Sequence, residues 1–207
     1  KKTVFLKKLK ILFMRKIASI MIFLFAISFF ANSQVQVLTD SRDGNIYKSV
    51  KIGTQTWMAE NLNYKAASGC WCYEEVASNC DQFGRLYNWQ TAMKACPTGW
   101  HLPTDAEWDI MVAYLGGAGV AGGKLKAVIT WDAPNTGADN SSGFRAFSSG
   151  VYTGAKFAMK GQHGYWWTAT QVNDATAKFK ALKPNDATIE NGEFDKNLAF
   201  PVRCIKD

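Results

Sequence analysis

Histidine is nearly missing from this chain: His101 and His163 are the only two among 207 residues. A zinc centre of the cysteine–histidine kind therefore has little to draw on. The clustered Cys70, Cys72 and Cys80 have no histidine close by in sequence and supply three corners of a tetrahedron at most. An apolar run of about twenty residues, the length that spans a bilayer, is also missing. The nearest approach, Ile17 to Phe30, stops at fourteen. Acidic residues are absent from positions 1–33, which hold seven of the 24 Lys and Arg residues. Residues 34–207 thus carry 17 basic and 17 acidic side chains, and the formal charge of +7 belongs wholly to the N-terminal segment. With no basic excess to neutralise phosphates, nucleic acid is excluded as a partner. Internal repeats and low-complexity tracts are lacking as well.

What the N-terminus does have is an export pattern. Met14-Arg15-Lys16 gives a start and a positive segment, Ile17–Phe30 the apolar stretch, and Ala31-Asn32-Ser33 the small-x-small form of a cleavage site. Residues 1–33 are read as a signal peptide, with 1–13 either an upstream extension of the reading frame or part of a long basic lead. A membrane anchor is the alternative; no cysteine lies near the cleavage point to take a lipid. The exported chain is expected to be secreted, periplasmic or held at the outer cell surface, with no membrane span. Residues 34–39 form a lead-in, and 40–207 suit one domain around one core.

Periodicity supplies the elements. Val50-Lys51-Ile52 and Thr56-Trp57-Met58 flank Gly53-Thr54, a hairpin signal with glycine free to take a positive φ. Tyr64–Asp81 is polar and irregular. Leu86, Trp89, Met93 and Cys96 recur at three or four residues, predicting a helix that Pro97 and Gly99 close. Thr104-Asp105-Ala106-Glu107 fits a capping box. Trp108, Met111, Val112 and Leu115 then mark a helical stripe that Gly116-Gly117 ends. Gly116–Gly123 reads as flexible, and Thr130–Ser149 as loop. Strands are expected at 165–170, 178–182, 188–189 and 199–205. Two helices followed by short strands and long loops predict an α+β fold with helices packed on an antiparallel sheet.

Four segments carry a family resemblance. They are Asp43-Gly44-Asn45-Ile46-Tyr47, Trp57-Met58-Ala59-Glu60-Asn61-Leu62, the run from Cys96-Pro97-Thr98-Gly99-Trp100-His101 to Trp108, and Phe200-Pro201-Val202-Arg203-Cys204-Ile205-Lys206-Asp207. In this order and spacing the chain resembles the Fibrobacter succinogenes major paralogous domain over roughly residues 40–207. That domain is grouped with the C-type-lectin-like and formylglycine-generating-enzyme-like folds. The resemblance implies a C-type-lectin-like fold. Because Cys96 and Cys204 sit inside two of the matching segments, it also implies a Cys96–Cys204 bond. Five cysteines in an exported chain suit disulfides. A second bond would be Cys72–Cys80 or Cys70–Cys80, leaving one thiol over.

Candidate chemistry is sparse. His101, Asp105 and Glu107 lie close together, but Asp105 and Glu107 are two apart and take different faces of a helix. Capping already occupies Glu107, and His101 reads as a partly buried ring. No catalytic residue is assigned. Sugar-binding relatives of the lectin-like fold place calcium ligands on Glu-Pro-Asn and Trp-Asn-Asp triplets. This chain has Ala133-Pro134-Asn135 and Val172-Asn173-Asp174, each without its first residue. Asp132, Asn135, Asp139 and Asn140 still place four oxygen-bearing side chains, the hard ligands calcium prefers, in one loop. Turn formation is their competing role, and no metal or other cofactor is expected. The copper-binding cysteine pair of the formylglycine-generating enzymes has no residue-by-residue match; Cys70-Trp71-Cys72 lies in an insert and not in the C-terminal half.

Aromatic residues are the remaining candidates. Tyr165-Trp166-Trp167 breaks strict alternation, so one tryptophan should face inward while the other is free to serve as a platform for a sugar ring or protein partner. Tyr152, Phe157 and Trp131 lie in nearby loop-rich segments; for each of these rings core packing is the competing role. The expectation is a secreted, non-catalytic binding or adhesion module for an extracellular glycan or protein, with Trp167, Trp166, Tyr152 and Trp131 as ligand-binding residues. A hypervariable display scaffold diversified by a retroelement is one alternative, and a copper oxidase of the formylglycine-generating type is another.

Overall fold

The computed structural model describes residues 36–207, so the signal peptide read at 1–33 lies outside the described residues. Every strand pairing is antiparallel. The first sheet begins with β1 (Gln36–Thr39), β2 (Ile46–Ile52) and β3 (Gln55–Met58) and is completed by β13 (Ile205–Lys206) and β6 (Trp100–His101). Gln36–Thr39, part of the lead-in, is thus a paired edge strand. Between β2 and β3 the chain reverses at Gly53-Thr54, where Gly53 has φ +62° and Ile52 pairs with Gln55, as the hairpin signal predicts.

A second sheet orders β4 (Cys70–Trp71), β5 (Leu86–Asn88), β12 (Ala199–Pro201), β7 (Val151–Tyr152) and β8 (Phe157–Ala158). The third runs β11 (Glu190–Asp195), β10 (Thr176–Leu182), β9 (Gly164–Gln171). Helices α1 (Ala77–Phe83), α2 (Trp89–Ala95), α3 (Asp105–Tyr114) and α4 (Ala118–Leu125) pack on these sheets, an α+β architecture. Among the described residues no helix is long and apolar enough to cross a membrane.

Helix α3 forms where its cap predicts. The Thr104 hydroxyl accepts from the Glu107 amide at 3.2 Å, while Glu107 Oε2 accepts from the Thr104 amide at 2.7 Å. Trp108, Met111 and Val112 are buried on its inner face, with Leu115 just beyond. Helix α2 starts later than the apolar spacing suggests. Asn88 caps it by accepting from the Thr91 amide at 3.0 Å, so Leu86 belongs to β5, and Met93 faces solvent while Ala92 and Ala95 face inward. The three-residue spacing from Leu86 to Trp89 ran across a strand–helix junction.

Three further expectations need correction. The 64–81 insert holds β4, a 3-10 turn at Tyr73–Glu75 and α1. The glycine-rich stretch read as flexible is mostly α4. Its glycines serve close packing: a Cβ on Gly122 would lie 2.4 Å from the Thr188 carbonyl oxygen, and one on Gly123 equally close to that of Gly137. Residues 188–189 are accordingly not a strand but backbone laid against α4, with the Ile189 amide donating to Ala118 at 2.9 Å. Finally, the 199–205 strand breaks after Pro201. Val202–Cys204 carries the chain from the second sheet to the first, bonded to Leu62 and Met58 on the way.

Two large cores result, and four strands, β2, β3, β9 and β10, contribute to both. Tyr165, Trp167, Tyr87, Phe179, Phe200 and Met58 fill one; Trp166, Trp57, Trp108, Phe144 and Ile205 fill the other. Strand β9 therefore lies between two apolar layers, as does the end of β3. Cys96 is bonded to Cys204 (Cα–Cα 5.9 Å), tying the end of α2 to the link between sheets, and Cys72 to Cys80 (5.0 Å) within the insert. Cys70 is the unpaired thiol among the described residues.

Candidate functional site

The aromatic candidates move inward. Trp166 and Trp167 are both wholly buried, because β9 is covered on both faces. Trp167 Nε1 donates to the Tyr87 carbonyl at 2.9 Å and Trp166 Nε1 to Asn61 Oδ1 at 3.0 Å. Neither presents a surface to a ligand. Tyr152 stays partly exposed, between Trp71 at 4.7 Å and Phe157 at 4.6 Å, with planes tilted by 40° and 32°. Rings this close cover one another's faces, and a platform for a sugar needs those faces free. Trp131 is half-buried, its Nε1 given to the Ala146 carbonyl at 2.9 Å.

The oxygen-rich loop is held by its own bonds. Asp139 Oδ1 accepts from the Ser141 amide and Asn140 Oδ1 from the Arg145 amide, each at 2.8 Å; Asn135 Nδ2 donates to the Ala127 carbonyl at 3.1 Å. The Asp132 amide donates to the Gly161 carbonyl at 2.9 Å. A cation does sit nearby, supplied by the chain. Lys126 is wholly buried, and its Nζ donates to the carbonyls of Thr136, Lys183 and Asp186 at 2.9, 3.0 and 2.8 Å. Burial lowers its pKa, and Asp186 works against that shift.

The other polar candidates take structural positions. His101 bridges Glu107 Oε1 (2.9 Å) and Asp207 Oδ1 (2.6 Å). Asp105 turns instead to Lys178 and the buried Lys180, at 3.0 and 2.9 Å. His163 stacks on Tyr165, centroids 5.4 Å apart. With four cysteines in disulfides, no two thiols converge among the described residues.

Sequence reasoning missed a buried hub that joins two of the matching segments. Arg203, wholly buried, meets no carboxylate in hydrogen-bond contact. Its guanidinium donates to Asn61 Oδ1 at 3.1 and 2.9 Å, to the Met58 carbonyl at 3.0 Å, and to the carbonyls of Phe144 and Arg145. Burial pulls its pKa down to about 9, with Glu60 opposing the shift. Asn61 completes the lock, giving its two N–H groups to the Phe83 carbonyl (2.9 Å) and Ser149 Oγ (3.1 Å). One signal was available: an arginine between Val202 and Cys204 in an otherwise apolar tail must be buried with acceptors around it.

Above this lock lies a cleft of about 480 Å³, within the range of small-ligand sites. Asn45, Ile46 and Tyr47 from the start of β2 form one wall. Residues 60–63 lie between β3 and β4, and Cys80–Gly84 come from the end of α1. Ile129, Thr130, Arg145 and Phe147 complete the lining. Glu60 is fixed by the Lys48 amide (3.0 Å) and faces Arg145 Nη1 at 3.5 Å. The Asn63 amide donates to Tyr47 Oη at 3.0 Å, while Asn63 Oδ1 and Thr130 Oγ1 are buried without a partner. Burial pushes the Tyr47 phenol up to about 12, so it stays neutral. The lining supplies amide, hydroxyl and aliphatic contacts, and its cysteine is held in a disulfide.

No curated protein and no solved structure matches the chain. The Fibrobacter succinogenes major domain matches residues 50–206. That span includes the hairpin, both partners of the Cys96–Cys204 bond, and Asn61 with Arg203 at the heart of the lock. The chain belongs to the Fibrobacter succinogenes major domain family.

Proposed function

We propose that this protein is an exported, non-catalytic binding module on a C-type-lectin-like scaffold, acting outside the cytoplasm, and that its ligand sits in the cleft between the start of β2 and the 129–147 loop. One observation carries the reading: a polar cleft of ligand size has its floor fixed by the Asn61–Arg203 lock. A floor that is already ordered has less conformational freedom to lose on binding. The two disulfides suit an oxidising compartment. The lining residues offer hydrogen bonds and apolar contact without a nucleophile beside a base, which favours binding over chemistry.

Glycan and protein arrays probed with the chain test this. Gln82, exposed on the cleft rim, becomes tryptophan in the blocking variant. Gln82→Trp should weaken binding by about tenfold or more, equivalent to 1.4 kcal/mol, while Tyr152→Ala leaves it unchanged. Binding that survives Gln82→Trp and disappears in Tyr152→Ala would move the site to the Trp71–Tyr152–Phe157 stack.

A further inference from the structure

The character of the cleft's walls narrows its ligand, on the reading that the cleft is the binding site. Its apolar surface is aliphatic. Ile46 is 65% exposed and Ile129 60%, with Val128 exposed beside Ile129. Several large aliphatic side chains left in water around one concavity mark a surface that meets another molecule. The aromatic rings of the lining offer no such face. Tyr47 and Phe147 are buried, and the Arg145 guanidinium lies over the Phe147 ring at 5.3 Å. A pyranose ring would find no aromatic plane to lie on.

The polar groups point the same way. Of the side-chain amides, Asn61 is used up by the lock, whereas no bond engages the exposed Gln82 amide or Asn63 Nδ2; Asn63 Oδ1 is itself buried. A primary amide offers a donor and an acceptor together, the same pair that each peptide unit presents. Charge around the cleft is balanced, Glu60 and Asp81 against Arg145 and the Arg203 beneath, so nothing selects an ionic ligand. We infer that the cleft takes an uncharged, extended polypeptide segment. Its backbone would bond the Gln82 amide and Asn63 Nδ2, and its branched aliphatic side chains would rest on Ile46 and Ile129.

The test pans a displayed library of random heptapeptides against the chain and against its Ile129→Glu variant. Ile129 is exposed, so the variant should keep the thermal midpoint of the parent, which is checked first. Sequences held by the parent should carry two branched aliphatic residues and no net charge, with enrichment over the variant of about tenfold. Chitotriose and cellotriose, titrated while the amide resonances of residues 45–47, 60–63, 71, 129–130 and 152 are followed, form the second arm. Equal enrichment on both chains, or enrichment of charged peptides, overturns the peptide assignment. Saccharide-induced shifts at the cleft without peptide enrichment also overturn it, and leave the cleft as the binding site. Shifts confined to Trp71 and Tyr152 overturn both readings.

Discussion

The two disulfides close loops of very different size, and that difference predicts their separate contributions. Cys96–Cys204 spans 108 residues and Cys72–Cys80 spans eight. If each bond acts by restricting the unfolded chain, loop-closure entropy gives about 4.8 kcal/mol for the long loop and about 2.5 kcal/mol for the short one. Cys204 and Cys80 are both buried, so replacing each pair by alanine adds a similar small packing loss and leaves the contrast intact. For a domain of this size, about 2–4 °C per kcal/mol turns these values into midpoint losses of roughly 10–19 °C for Cys96→Ala/Cys204→Ala and roughly 5–10 °C for Cys72→Ala/Cys80→Ala. Non-reducing peptide maps should first recover the Cys96–Cys204 and Cys72–Cys80 pairs. Thermal unfolding followed by tryptophan fluorescence then measures the losses. Equal losses, or a larger loss for the eight-residue loop, would show that native-state geometry and not loop closure sets what these bonds contribute.

Two predictions concern charge. Burial of the His101 ring opposes its protonation, but the hydrogen bonds to Asp207 and Glu107 outweigh that and raise its pKa. The folded chain then holds this proton more tightly than the unfolded one, so the stabilisation is complete below about pH 6 and is lost as pH rises through the raised value. His163 works in the opposite sense, since burial lowers its pKa and its contribution is lost toward acid. The comparison must therefore be with His101→Gln: the parent's advantage in thermal midpoint at about pH 6 should be gone by about pH 9, and an advantage that persists unchanged would refute the assignment. Lys126→Met removes the donor shared by three carbonyls on partly exposed residues and should lower unfolding stability by about 1.5–3 kcal/mol in urea titrations. Calcium should leave the parent's midpoint where it is, since a ligand of the folded state alone would raise it.

Much of the fold was legible because local chemistry and tertiary packing agreed. The Thr104 capping box, the Gly53-Thr54 reversal and the Trp108–Leu115 stripe each depend on residues a few positions apart. Trp166 and Trp167 were misplaced for a nonlocal reason. Alternation assigns one face of a strand to solvent, and β9 has none to assign, because residues brought from 57, 108 and 144 cover one face and residues from 87 and 200 the other. Gly122 and Gly123 were taken for mobility when their small size lets α4 approach backbone at 137 and 188, a contact invisible until the chain is folded. The cleft was the least legible part. It takes residues from five separate stretches, 45–47, 60–63, 80–84, 129–130 and 145–147, and Asn63, Gln82 and Ile129 carry no spacing that marks them in advance.

The buried ammonium of Lys126 has a consequence beyond stability. An ion recruited from the medium occupies its site only as far as its concentration allows, and a chelator or a dilute environment empties it. An ammonium built into the polypeptide has no such dependence, because its local concentration is set by the covalent chain. The segments it gathers, near 136, 183 and 186, therefore keep their shape whatever the divalent-ion content of the medium. The same arrangement removes a control. The conformation of these segments is then set by folding itself and not by the supply of an ion.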